Sequence, residues 1–261
     1  MTLEGVYGVR EDSTGQRFSI VPEAPRIAKS TLVGRRERGT DTDAASYNWS
    51  MPSSEPKSAA AIRRWIEKHT RTSDRFASVA DKYEHHRREH GCDDVYPSSN
   101  GPLLGALTAA VKPKRLLEVG CGLGYSGLWL AYGAGPGGCV ETIEASQEHA
   151  KIARGHFKAE GLGKQIQVLV GEATRVLPAL KGRYDLIYFD INPSESLLVL
   201  DHSERLIRRG GLLISANLFL GQFAPDIPGL EKTAEYRLRI LDAARWLTGY
   251  MVDGTSVSVR V

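Results

Sequence analysis

Cysteine is scarce: Cys92, Cys121 and Cys139 are the three in 261 residues, odd in number and without CxxC spacing. A disulfide framework is therefore not expected, and a reducing, cytoplasmic setting is the reading that follows. No apolar run approaches the roughly 20 residues that cross a bilayer, so no membrane partner is expected. The first residues carry Glu4, Glu11 and Asp12 and lack the apolar core of a secretory signal. Charge of one sign is not concentrated either. The 34 basic and 31 acidic residues are interleaved and leave a net charge of +3, which argues against a nucleic-acid groove. What is present is ordinary for a globular chain, 41% hydrophobic and 25% charged residues, enough apolar surface for a core.

Residues 1–57 are rich in Ser, Thr, Gly, Pro and charge, with short apolar islands at Val6–Val9 and Phe18–Val21. They read as an N-terminal arm, either disordered or docking on a partner subunit or the active site. From Ser58 the pattern changes. Ala61, Ile62, Trp65 and Ile66, then Phe76, Val79, Ala80 and Tyr83, fall at helical spacing, and a third run from Leu103 to Val111 stops before Pro113. Residues 58–111 are thus expected to be helices leading into a core at 112–261. In that core, strand candidates at 115–119, 139–143, 165–170, 186–189 and 212–215 alternate with helical stretches at 126–132, 147–160, 173–180 and 197–208. Such alternation predicts an α/β, Rossmann-like, doubly wound and mainly parallel sheet. Two last strands, 248–253 and 256–261, flank Asp253-Gly254, which predicts a tight hairpin and an antiparallel pair, seven strands in all.

Open sheets of this kind bind ligands beyond the carboxyl ends of their strands. The first such position holds Glu118-Val-Gly-Cys-Gly-Leu-Gly124, with Gly120, Gly122 and Gly124 one residue apart. Without Cβ atoms they permit a sharp turn and close approach of a ligand to the backbone. Glu118 can accept from a ligand amine. Glu144 ends the second strand, where an acidic residue takes ribose hydroxyls in dinucleotide folds. Gly171-Glu172-Ala173 follows the third strand and could border an adenine; Asp190 ends the fourth. Gly122 to Gly127 also matches GxGxxG, but Gly120 and Cys121 separate it from the strand, and Glu118 would repel a pyrophosphate.

At these residues the chain resembles the small-molecule O-methyltransferases related to catechol and caffeoyl-CoA O-methyltransferases. The likeness runs from about Ala59 to Val261 and rests on Tyr96–Gly101, Gly124-Tyr-Ser126 with Leu128–Ala131, Ile143-Glu144, Tyr184–Asp190, Gly210–Ile214 and Asp253-Gly254. It implies S-adenosyl-L-methionine as cofactor and a small-molecule acceptor. Tyr96 would cover the methionine part; Gly120 and Ser126 would contact its amino-acid end, Glu144 the ribose, and Glu172 and Ala173 the adenine. Glu118, Gly122, Gly124, Tyr125, Ala145, Gly171 and Asp190 complete the implied cofactor contacts. The family typically binds Mg²⁺ or a similar ion through two aspartates and an asparagine. Here Asp190 and Asn217 stand at two of those places, Ala216 at the third, and Pro193 where catechol-type relatives carry a lysine. One carboxylate in place of two weighs against a tightly held catalytic metal.

Methyl transfer from a sulfonium asks the protein chiefly to align the nucleophile and exclude water. Asp190 and Asn217 are the expected catalytic pair, orienting the nucleophile, with Asp190 accepting its proton or weakly holding a cation. His202 is a weaker candidate base. His86 and His90, near Glu89 and Cys92, could in principle bind zinc, though the run reads as a charged face. Trp129 and Trp246 read as core residues on helix faces, and Trp65 as a subunit-interface or pocket residue, which makes a homodimer an expectation. Three functions stay open: O-methylation of a small hydroxyl compound, metal-independent N- or O-methylation of another substrate, and cofactor binding without catalysis.

Overall fold

The computed structural model describes residues 9–11, 17–19, 58–91, 95–98, 100–218, 226, 228–251 and 254–261. The chain divides into two units, Met1–Ser53 and Ser54–Val261. In the first, β1 (Val9–Glu11) pairs antiparallel with β2 (Arg17–Ser19), Arg10 opposite Phe18. The remaining residues of the expected arm lie outside the described ones.

The second unit begins with α1 (Ala59–Thr72), α2 (Ala77–His90) and α3 (Gly101–Val111). Asn100 caps α3 by accepting from Leu103 N–H, and Lys112 ends it in a left-handed conformation. There follow β3 (Arg115–Val119), α4 (Tyr125–Ala134), β4 (Cys139–Glu144), α5 (Gln147–Ala159), β5 (Ile166–Val170), α6 (Ala173–Ala179), β6 (Tyr184–Phe189), α7 (Ser196–Leu206), β7 (Ile207–Ser215), α8 (Leu230–Ile240), β8 (Trp246–Tyr250) and β9 (Ser256–Arg260). The seven strands of this unit order as β5-β4-β3-β6-β7-β9-β8. Strands β3 to β7 run parallel and β9 pairs antiparallel with both β7 and β8, as the sequence predicts.

Each face of the sheet carries its own core. Leu116, Leu128, Trp129, Phe157, Leu186 and Ile214 belong to one, with Phe76 and Tyr83 from the start and the middle of α2; Leu117, Ile187, Leu200, Leu213, Tyr236 and Trp246 belong to the other. Leu116 and Leu117, adjacent in one strand, point to opposite cores, which is why the central strands carry apolar residues on both faces.

Three boundaries depart from expectation. Helix α7 stops at Leu206, and residues 207 and 208 already belong to β7. Trp246 opens β8 and is buried there, not on a helix. The last hairpin turns over residues 251–255, with Met251 N–H donating to Thr255 O at 2.8 Å and Gly254 at φ +85°; Asp253 lies outside the described residues. Helix α8 was not foreseen, although Thr233, Tyr236 and Ile240 bury at helical spacing.

Candidate functional site

The strand order reverses between β3 and β6, and the loops at their carboxyl ends meet there. The chain leaves β3 through Gly120, Gly122 and Gly124, all left-handed at φ +94°, +53° and +95°. A Cβ on Gly120 would sit 2.2 Å from the Asp190 carbonyl oxygen, and one on Gly124 2.6 Å from the Phe157 ring. No larger residue fits either place without moving backbone or core.

The bend is held from several sides. Gly120 and Cys121 N–H donate to Ile143 O at 3.1 and 3.2 Å. Gly122 N–H donates to Glu144 Oε2 at 2.7 Å. The Tyr83 hydroxyl, reaching up from α2, accepts from Leu123 N–H at 3.0 Å and Tyr125 N–H at 3.2 Å. His156 Nδ1 lies 2.8 Å from Leu123 O, so that nitrogen carries a proton.

Three carboxylates gather around this loop. Glu118 is fully buried beneath it, and neither oxygen has a hydrogen-bond partner of normal geometry among the described residues. Burial pushes its pKa up to about 7; the Asp190 and Glu144 charges push the same way, while the Ser126 and Thr142 hydroxyls pull down. Glu144 is buried, its Oε1 accepting from Ser146 N–H at 2.9 Å and facing His149 Nδ1 at 3.6 Å. Asp190 is half-buried at the cleft. Burial of its carboxyl raises its pKa to about 6, against the hydrogen bonds from Tyr188 and Asn217. Tyr188 OH donates to Asp190 Oδ2 at 3.3 Å, and the Asn217 amide donates to Oδ1. Asn217 takes a left-handed backbone at φ +64°, an unusual state for a residue with a side chain.

The other expected contacts divide into two groups. Gly171 joins the cluster, its N–H donating to Glu144 O at 2.8 Å, and Ser126 is buried near Glu118. Ala145 and Glu172 lie exposed at the rim, with Ala173 buried at the start of α6. Tyr96 is exposed, its ring 4.2 Å under the Arg87 guanidinium. Tyr125 gives the loop its backbone, but its hydroxyl turns away to bond Asp74. His202 stands outside the cluster beside Arg205, 3.3 Å from its Nη2. His86 stacks on His90 at 4.5 Å and meets His149 edge-on at 5.1 Å. Cys92 lies outside the described residues.

Among the described residues no three His, Cys, Asp or Glu side chains are grouped to hold a metal ion, at the histidines or at Asp190. At Asp190 the reason is chemical. Ala216 offers no side-chain ligand, and the Asn217 amide nitrogen donates to Asp190. Asp190 is the one carboxylate at a place where the resemblance implies two, a weaker set for a hard divalent ion.

Sequence reading missed Tyr83 and His156, which brace the loop, and Tyr188, which bonds Asp190. Tyr83 enters the sequence reading only through its helical spacing and Tyr188 only as part of Tyr184–Asp190. Their hydroxyls were the available signal, since a buried phenol needs a partner.

The profile of a family described as O-methyltransferase matches residues 80–242, more than half of the chain. Catechol O-methyltransferase of Mycobacterium tuberculosis is 35% identical over 125 residues, 48% of this chain and 57% of that relative, so the aligned stretch spans less than two thirds of the relative's length. Among solved structures, the O-methyltransferase TomG from Streptomyces achromogenes, in complex with SAM, superposes with a TM-score of 0.60 at 24% identity, over 75% of this chain and 98% of that one. An O-methyltransferase from Bacillus cereus in complex with SAH does so at 0.60 and 21%, over 75% and 100%. At these identities the structural matches establish the shared fold.

Proposed function

We propose that this chain, which belongs to the O-methyltransferase family, binds S-adenosyl-L-methionine at the glycine bend and moves its methyl group to a hydroxyl of a small molecule. The observation that carries the reading is the union of a left-handed glycine bend too tight for a Cβ at Gly120 or Gly124 with a buried carboxylate beneath it, whose oxygens have no hydrogen-bond partner of normal geometry among the described residues. A cationic ligand relieves that cost, whereas a pyrophosphate would add to it. Gly120 and Gly122 leave room against the backbone. Glu144, fixed by two backbone N–H groups, keeps further lone pairs for ribose hydroxyls. Gly171, Ala145, Glu172 and Ala173 border the adenine side, and Tyr96 covers the amino-acid end.

The cofactor would supply an electrophilic methyl on sulfur. The protein's part is orientation and proton removal. Asp190, with its pKa lifted to about 6, is ionised at neutral pH and basic enough to accept a hydroxyl proton; Asn217 and Tyr188 fix the direction of its lone pairs. No step is assigned to a metal. Support for a homodimer comes from Trp65 and Ile66 on α1, both exposed. No helix among the described residues is long and apolar enough to cross a membrane.

Calorimetry with S-adenosylhomocysteine, followed by a methyl-transfer screen over catechols, phenols and amines with and without EDTA, tests the proposal. Binding with turnover on phenols that survives chelation supports it. No binding, or binding of a nicotinamide nucleotide instead, refutes it; tight binding without transfer to any acceptor identifies a cofactor-binding protein.

A further inference from the structure

The amino ends of the parallel strands carry a second feature, which the methyl-transfer reading does not use. Between β6 and β7 the pairing passes from Tyr184–Ile207 to Leu186–Leu212, so β7 spends three more residues than its neighbour. The excess pushes Arg208 and Arg209 outward, with Gly210 left-handed at φ +71°. Beside this bulge lies a cleft of about 490 Å³, lined by Arg183, Arg205, Arg208, Arg209 and Arg260, with Glu204 as its acidic side chain.

Most of these guanidinium groups are positioned but not neutralised. Arg183 Nη1 donates to Arg205 O at 2.7 Å, and Arg205 donates to Leu180 O at 2.9 Å and Leu177 O at 3.0 Å. Arg260 stacks over Trp246 at 5.0 Å. Carbonyls and a ring orient a guanidinium without cancelling its charge. Arg208 is paired with Asp185 at 2.6 Å, and Glu204 is taken by Arg245 at 2.8 Å. Among the described residues, none of Arg183, Arg205, Arg209 and Arg260 lies within 4 Å of a carboxylate. Four unneutralised guanidinium groups, three of them held by carbonyls or a ring, repel one another around one concavity, and an anion with several oxygens relieves it.

We propose that this cleft binds a small phosphate-bearing anion between the guanidinium groups of Arg183, Arg205, Arg209 and Arg260. Its volume is that of a small-molecule site, not of an extended polyanion track. The site lies at the end of the sheet away from the glycine bend, so it stands or falls independently of the methyl-transfer reading.

Titration of the full chain with pyrophosphate at low ionic strength tests it. We expect one site per chain, unchanged when the protein is saturated with S-adenosylhomocysteine, and weakened by added salt. Arg209→Gln and Arg260→Gln should each weaken binding about tenfold while leaving cofactor affinity unchanged. Among the described residues the Arg209 side chain has no hydrogen-bond or ion-pair partner to lose, so its variant should fold. The proposal is overturned if pyrophosphate gives no heat, if S-adenosylhomocysteine displaces it, or if the double variant binds as well as the parent. Binding of duplex DNA without binding of pyrophosphate also overturns it.

Discussion

The two ends of the parallel strands solve opposite electrostatic problems. At the carboxyl ends, Glu118, Glu144 and Asp190 are gathered in and around a tight bend, and burial lifts two of their pKa values. At the amino ends, exposed arginines gather in and beside a bulge, with Arg183 and Arg205 tied to carbonyls. The first end withholds water from its charges and makes them responsive to a cation. The second keeps its charges wet and therefore sensitive to salt. One sheet thus separates a site whose energetics are dominated by desolvation from one dominated by screened attraction.

The largest effect expected from breaking this contrast is at Gly120. Gly120→Ala must place a methyl in a left-handed conformation and 2.2 Å from the Asp190 carbonyl, so a loss of about 2–5 kcal/mol in stability is expected, with cofactor binding abolished. Chemical denaturation and calorimetry read both. Asp190→Asn should reduce turnover by about 10²–10⁴-fold with little change in cofactor affinity. In the parent enzyme kcat/KM should rise with pH through about 6 and level off, since the ionised form accepts the proton. A flat profile from pH 5 to 8 would remove Asp190 from the role of base.

Glu118 gives a third, smaller effect of opposite sign. Its folded pKa of about 7 exceeds the unfolded value of 4.5, so the folded state holds the proton more tightly. Stability is therefore greatest below about pH 4.5 and is lost as pH rises through 7, by up to about 3 kcal/mol. Glu118→Gln should raise the Tm of the ligand-free protein at pH 8 and leave it nearly unchanged at pH 5. A fall in Tm at pH 8 would mean the carboxylate has a partner. The smallest effect belongs to His202→Ala, which should change stability by no more than about 0.5 kcal/mol and turnover not at all. A large loss of turnover would return His202 to the list of bases.

Much of the sheet was legible because its signals are local. Short, largely apolar runs such as Leu116–Val119 and Tyr184–Phe189, broken only by Glu118 and Asp185, read as strands buried on both faces, and the spaced glycines announce a bend. The carboxylates at strand ends follow from topology. What escaped is non-local or conformational. Trp246 sits in a run that reads as helix, but the turn closed by Arg245 and Trp246 N–H on Asp242 O throws it into β8. The extra residues of β7 depend on its pairing with β6, and the left-handed Asn217 on the meeting of β7 with the loop beyond it. At the site, the sequence names Glu118, Glu144 and Asp190 from their positions at strand ends, and the structure sets them around one loop, while the depth of Glu118 and the brace from Tyr83 required coordinates.

That brace ties two motions together. Both Leu123 and Tyr125 amides are protected by one oxygen carried on α2, so their hydrogens exchange with solvent when that helix lifts. If ligand entry needs the same lifting, the arrival rate of the nucleoside is set by helix undocking, and exchange at these two amides becomes a clock for it.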